Sequence, residues 1–178
     1  MAPSTTKTRT QSSSRNDSAS TTHDAERPPV RGPQHEALAV LLGDWRAKGT
    51  SFGSSDQTPE HPRANGFEWT STHTARWHTG EFFLIQDERA MSGGPFDTVS
   101  ILGVDARTGR YFAQTFENHG FERRYNVSVD GRVWTFSGEH ERATIEFSVD
   151  GNTQTIRWEW RPGDTWLPLC DRTAIRER

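Results

Sequence analysis

The chain has 178 residues, the length of about one domain, and a formal net charge of −3 at pH 7, which argues against a general nucleic-acid binder. Its one cysteine, Cys170, rules out an intramolecular disulfide and a cysteine-based zinc site. Only 31% of the residues are hydrophobic, yet seven Trp and ten Phe bury a large area each, so a core remains attainable.

Residues 1–34 are rich in Ser, Thr, Arg and Pro and nearly devoid of large apolar side chains. Such a stretch cannot offset the entropy of its own ordering, so it is predicted to be a disordered tail before a domain spanning 35–178. It contains no apolar segment of the kind a secretory leader needs, and the chain has no apolar run long enough for a membrane helix. Together with the lone cysteine, this makes the expectation a soluble, cytoplasmic protein.

"QHEALAVLLGDW" places Leu38, Leu41 and Leu42 at helical spacing, and Gly43 ends that short helix. Strands follow: Trp45–Phe52, then the loop "GSSDQTPEHPRAN", then Phe67–Trp77 and "EFFLIQDERA". "FDTVSILGVD" and "YFAQTF" are joined by the turn "ARTG", and "ENHG" leads into "FERRYNVSVD". Asp130–Gly131 and "DGN" at Asp150–Asn152 are hairpin signals that flank "RVWTFSG" and "RATIEFSVD". "TQTIRWEW" and "TWLPLCDRTAIRER" complete ten strands at short, regular spacing. The pattern predicts an all-β fold, a ten-stranded antiparallel up-and-down barrel with a short N-terminal helix. An open sheet of that size would leave exposed edges, while a two-sheet sandwich fits the same spacing.

"LAVLLGDWRAKG", with Gly43, Trp45 and Gly49, resembles the start of nitrobindin-type lipocalin-like (calycin) barrels. Gly80, Gly103, Asp105, Gly109 and Tyr111, in "GEFFLIQDE" and "ILGVDARTGRY", look more like a sister lipocalin-like family known only as a domain of unknown function. The resemblance covers roughly residues 36–176. It implies a ten-stranded barrel with an internal cavity, and no particular reaction. Nitrobindin-like proteins hold haem through a histidine in the last strand, and the last strand here has none.

Trp45 is expected to plug the barrel base against the helix leucines, with Gly49 letting its strand bend. In "TIRWEW", Ile156, Trp158 and Trp160 share one face and Thr155, Arg157 and Glu159 the other. The two indoles either fill a core or wall a cavity. Trp69, Trp134 and Trp166 extend the aromatic set, with Trp134 and Phe136 or Val133 and Thr135 pointing inward. His73 is in phase with Phe67, Trp69 and Ser71; Gln86 and Glu88 with Phe82 and Leu84; Gln114 with Phe112 and Phe116; Tyr125 with Phe121, Val127 and Val129. A few polar groups on an apolar wall are what orients a ligand, although rim residues wetted by water show the same pattern. His78, His119 and His140 fall near turns, and Asp171 and Arg172 read as a surface or rim ion pair. No HExxH, phosphate loop or serine elbow is present.

These residues predict a small-molecule binding protein holding a largely apolar or aromatic molecule. The candidate ligand-binding set is Trp69, His73, Gln86, Glu88, Gln114, Tyr125, Trp158 and Trp160. No catalytic residue is assigned, and no metal, cofactor, nucleic acid or membrane partner is expected; a homodimer stays open. One alternative is a barrel enzyme of cyclase, isomerase or hydratase type with one acid–base residue in the lumen. The other is a haem-binding, nitrobindin-like protein.

Overall fold

The computed structural model describes residues 28–53 and 56–178. Its ten strands are β1 (Gly43–Ser51), β2 (Phe67–Trp77), β3 (Phe83–Ser92), β4 (Asp97–Val104), β5 (Tyr111–Glu117), β6 (Glu122–Asp130), β7 (Val133–Ser137), β8 (Glu141–Phe147), β9 (Thr153–Trp160) and β10 (Leu167–Arg176). Each pairs antiparallel with its neighbour in the chain, and β10 pairs with β1 to close the barrel. Closure leaves no unpaired edge. The all-β, ten-stranded barrel read from turn spacing is the observed fold.

A helix, α1 (Pro33–Ala37), runs directly into a 3-10 turn over Leu38–Leu41. It starts two residues before the expected domain boundary at 35. Pro33 suits the first helical turn because its missing N–H has no partner to lose there. Arg31, also within the expected tail, reaches the Glu81 carboxylate at 3.4 Å and lies 5.5 Å from the Trp77 ring. The remainder of that tail, residues 1–27, falls outside the described residues. Leu38 and Leu41 eclipse one another on the 3-10 turn, and both are buried. Gly43, at φ 109°, turns the chain out of the helix and into β1, a conformation a side chain would strain.

Trp45 closes the helix end of the barrel. It is fully buried, and its Nε1–H donates to the Leu41 carbonyl at 3.1 Å. The Arg176 guanidinium lies 4.2 Å from the Trp45 ring centre and donates to the carbonyls of Val40 (3.0 Å), Gly151 (3.0 Å) and Leu42. Carbonyls that the helix cannot satisfy itself are thereby tied to the last strand. Phe147, Leu84 and Leu102 pack in the same core.

Period-two alternation sets the two faces of every strand. Trp134 and Phe136, rather than Val133 and Thr135, are the buried residues of β7. At the end away from the helix, Gln57 from the β1–β2 loop donates to the carbonyls of Pro62 (2.6 Å) and Pro168 (2.5 Å). The register of β10 shifts between Pro168 and Cys170 just beneath it.

Candidate functional site

The inner faces do not fill the barrel. A cavity of about 460 Å³ lies between the core at the helix end and the opposite mouth. Small inward residues on β4 and β5, namely Ser100, Ala113 and Thr115, leave the room. Trp69, Tyr125, Phe136 and Trp158 supply aromatic wall. The Tyr125 and Trp158 rings meet edge to face at 5.5 Å, and Phe136 lies 6.5 Å from Trp158.

Six of the eight candidate residues line this cavity: Trp69, His73, Gln86, Glu88, Tyr125 and Trp158. Gln114 lies on the outer face and donates to Glu122 Oε1 at 2.9 Å. On β5 the inward phase belongs to Tyr111, Ala113, Thr115 and Glu117. Phe112 is instead covered from outside by Phe83 at 6.3 Å and Arg124 at 5.1 Å. The apolar phase of this strand is its outer one, because outer aromatics cover one another while small residues preserve the lumen. Trp160 keeps the inward phase but sits at the mouth, where its Nε1–H donates to Gln57 Oε1 at 2.7 Å. The β1–β2 loop thus occupies its polar edge, and Trp160 does not line the cavity.

Two polar clusters are set into the walls. The first is on β2, β3 and β10. Arg172, read from the sequence as part of a surface or rim pair, points inward and forms a buried ion pair with Glu88. Its sequence neighbour Asp171 faces outward to Arg63 at 2.6 Å. Ser71 Oγ donates to Glu88 Oε1 at 2.8 Å, and the Arg172 guanidinium covers the Trp69 ring at 4.5 Å. Burial pushes the Glu88 carboxyl up, but the Arg172 charge, His73 and the hydrogen bonds outweigh it and hold the carboxyl below its ordinary range. His73 lies opposite Glu88 in register and stacks on Trp45 at 5.8 Å. Burial, only partly opposed by Glu88, lowers its pKa to about 4, so the imidazole is neutral at pH 7. Its Nδ1 is buried without a hydrogen-bond partner, as is Arg172 Nε.

The second cluster is on β5, β6 and β8. Arg123 donates through Nε to Glu117 Oε1 at 2.7 Å and lies 3.2 Å from Glu141 Oε1 through Nη2. Tyr125 Oη donates to Glu141 Oε2 at 3.0 Å. Burial and the neighbouring Glu141 raise the Tyr125 pKa, which keeps it a phenol donor. Burial also raises Glu141, with Arg123 pulling it back in part. His119, expected near a turn, joins the mouth beside Phe96 at 6.0 Å.

Sequence reasoning did not place Ser71, Glu117, Arg123, Glu141 or Arg172 in the lumen. The signal was available as phase. Arg123 is two residues before Tyr125, and Glu141 is in step with Ala143 and Ile145. Nothing in a single strand says that its charged residues have a partner on another.

A haem held through the last strand does not fit the residues present. The residues of β10 that line the cavity are Leu169, Cys170 and Arg172, and Arg172 is already committed to Glu88. Burial raises the Cys170 pKa, which opposes the thiolate form that a haem ligand needs.

The family described as "Protein of unknown function (DUF1579)" matches residues 31–163. Among solved structures, Rv2717c from M. tuberculosis is 19% identical with a TM-score of 0.58; the match covers 84% of this chain and all of that one. The zebrafish ileal bile acid-binding protein, solved in complex with cholic acid, is 14% identical with a TM-score of 0.50, over 78% of this chain and 99% of that one. No curated protein matches. At these identities the likeness to the solved structures is one of fold.

Proposed function

The chain belongs to the DUF1579 family, whose description assigns no activity, and we propose from the cavity that it binds a small, largely apolar molecule inside the barrel. The observation that carries this reading is the cavity itself: about 460 Å³, walled by aromatic rings and bearing a few fixed polar groups. A volume of that size and a lining of that kind suit a small ligand. Trp69, Trp158 and Phe136 supply apolar area. Tyr125, His73, Gln86 and Glu88 supply direction. The bile acid-binding protein of related fold was solved in complex with cholic acid, which supports a binding role for a barrel of this kind.

A catalytic reading would need a lumen group whose pKa approaches neutrality. Glu88 is held down and His73 lies near 4. Glu141 is the lumen carboxyl moved upward, so that alternative would rest on it.

The test is Nile red, a neutral apolar dye, titrated into the protein. The parent is expected to bind it saturably. Trp158→Ala should remain folded and bind it much more weakly, because only one wall of the cavity is removed. Arg157→Ala, on the outer face of the same strand, should change neither property. A parent that gives no saturable signal would sink the reading.

A further inference from the structure

The proposed ligand-binding reading leaves the ligand's head group open, and the charges in the wall bear on it. Among the described residues three carboxylates line the cavity, those of Glu88, Glu117 and Glu141, against two guanidiniums, Arg123 and Arg172, and no lysine. The arrangement is not random. In the closed ring β6 lies five places from β1, so the two clusters occupy opposite walls. On the β10 side one carboxylate meets one guanidinium, Glu88 with Arg172, and their charges balance. On the β6 side two carboxylates share a single guanidinium, Arg123. The unbalanced negative charge therefore belongs to Glu117 and Glu141.

Both of these side chains are largely withdrawn from water. Glu117 is 8% exposed and Glu141 17%. Poorly solvated charge of one sign attracts a partner of the other more strongly than the same charge in water would. An anionic ligand would meet guanidiniums whose charge a carboxylate already offsets.

A second observation asks for a polar group on the ligand. His73 is 5% exposed and lines the same cavity, yet its Nδ1 has no hydrogen-bond partner. A neutral imidazole carries one N–H and one acceptor nitrogen, and buried polar atoms are ordinarily satisfied, so a polar group on a bound molecule would complete this one. On the opposite wall Tyr125 spends its hydroxyl hydrogen on Glu141, so that hydroxyl has no second hydrogen to give a ligand.

We propose that this cavity selects an apolar body carrying a protonated amine, with Glu117 and Glu141 receiving the ammonium group, and that it discriminates against carboxylates of the same shape. This inference rests on the cavity being a binding site. It parts company with the bile acid-binding protein of related fold, whose bound cholic acid is a carboxylic acid.

The experiment compares three probes of one shape at pH 7 by calorimetric titration: 2-naphthylmethylamine, 2-naphthylmethanol and 2-naphthoate. The amine is expected to bind most tightly and the carboxylate most weakly, with about tenfold or more between them. The double variant Glu117→Gln/Glu141→Gln leaves Arg123 as the unbalanced charge, so it should reverse the order and favour naphthoate. Gln keeps the shape and can still accept from Arg123, and a thermal melt shows whether the variant is folded. If it is not, the single variant Glu141→Gln should still narrow the preference. Equal or tighter binding of naphthoate by the parent would overturn the proposal, as would an amine preference that survives in the double variant. Tight binding of the alcohol with no charge preference would leave the cavity reading standing and remove this one. If none of the three probes nor Nile red binds, both readings fall.

Discussion

His73 carries a pH dependence whose sign follows from its burial. Its pKa is about 4 in the folded barrel against 6.5 for a free histidine. Between those values the unfolded chain holds a proton that the folded chain does not, so stability rises with pH across the window. The contribution is complete above pH 6.5 and is lost as the pH falls towards 4. A difference of this size is worth on the order of 3 kcal/mol. Glu88 acts in a lower window, because its folded pKa lies below the ordinary 4.5. Its stabilisation is present above 4.5 and disappears as the pH falls through the depressed value. Urea unfolding at pH 7, 5.5 and 4 should therefore show a steep loss in the parent. His73→Gln should flatten the part of that loss between 6.5 and 4, even if it lowers stability throughout. An unchanged slope would mean that other groups govern acid sensitivity.

Among the elements, the β1–β10 seam depends on close approach at one position. A Cβ on Gly49 would fall onto the Asp171 carbonyl oxygen and the Arg172 backbone. The sequence reading gave Gly49 the task of bending β1; the structure gives it the task of letting β10 come near. Gly49 pairs in register with Arg172, the residue that carries the guanidinium to Glu88. Gly49→Ala must push the two strands apart, at a cost of about 1–3 kcal/mol for such overpacking. The strain should also displace Arg172 from Glu88, so Nile red affinity should fall together with the melting temperature. A variant as stable as the parent would show that the seam gives way freely. Nearby, the helix is held to β10 by Arg176 and to β1 by Trp45. The seam is thus where closure of the barrel and closure of its base meet.

For the whole molecule, the boundary between tail and domain can be tested by trimming. Residues 1–27 offer almost no apolar side chains to bury, so removing them should leave the melting temperature unchanged. Removing residues 1–34 should lower it. That cut takes away Arg31, with its contacts to Glu36, Glu81 and Trp77, and Pro33 at the start of the helix. Differential scanning calorimetry of the two trimmed proteins beside the full chain distinguishes the cases. Equal melting temperatures for all three would show that the segment from Pro28 to Gln34 contributes nothing. A loss on removing residues 1–27 alone would show that the earlier residues dock on the barrel.

Strand number, turn positions and the antiparallel order were legible in the sequence, because period-two alternation and hairpin turns are local properties. The Gly43–Trp45 base was legible for the same reason, as leucines and an indole lie within a few residues of one another. Six of the eight candidate site residues could be placed towards the lumen because they share a phase with buried neighbours. Gln114 could not, because Phe112 and Phe116 are apolar on the outside of the barrel, and apolar character alone does not say which face is inner. The charged clusters were illegible for a different reason. Arg172 and Glu88 stand 84 residues apart, and Arg123 joins Glu117 and Glu141 across separate strands. An ion pair between distant segments has no periodicity to read. Closure of β1 on β10 brings Arg172 to Glu88 inside the barrel, whereas strand phase turns its neighbour Asp171 to the outer face and Arg63.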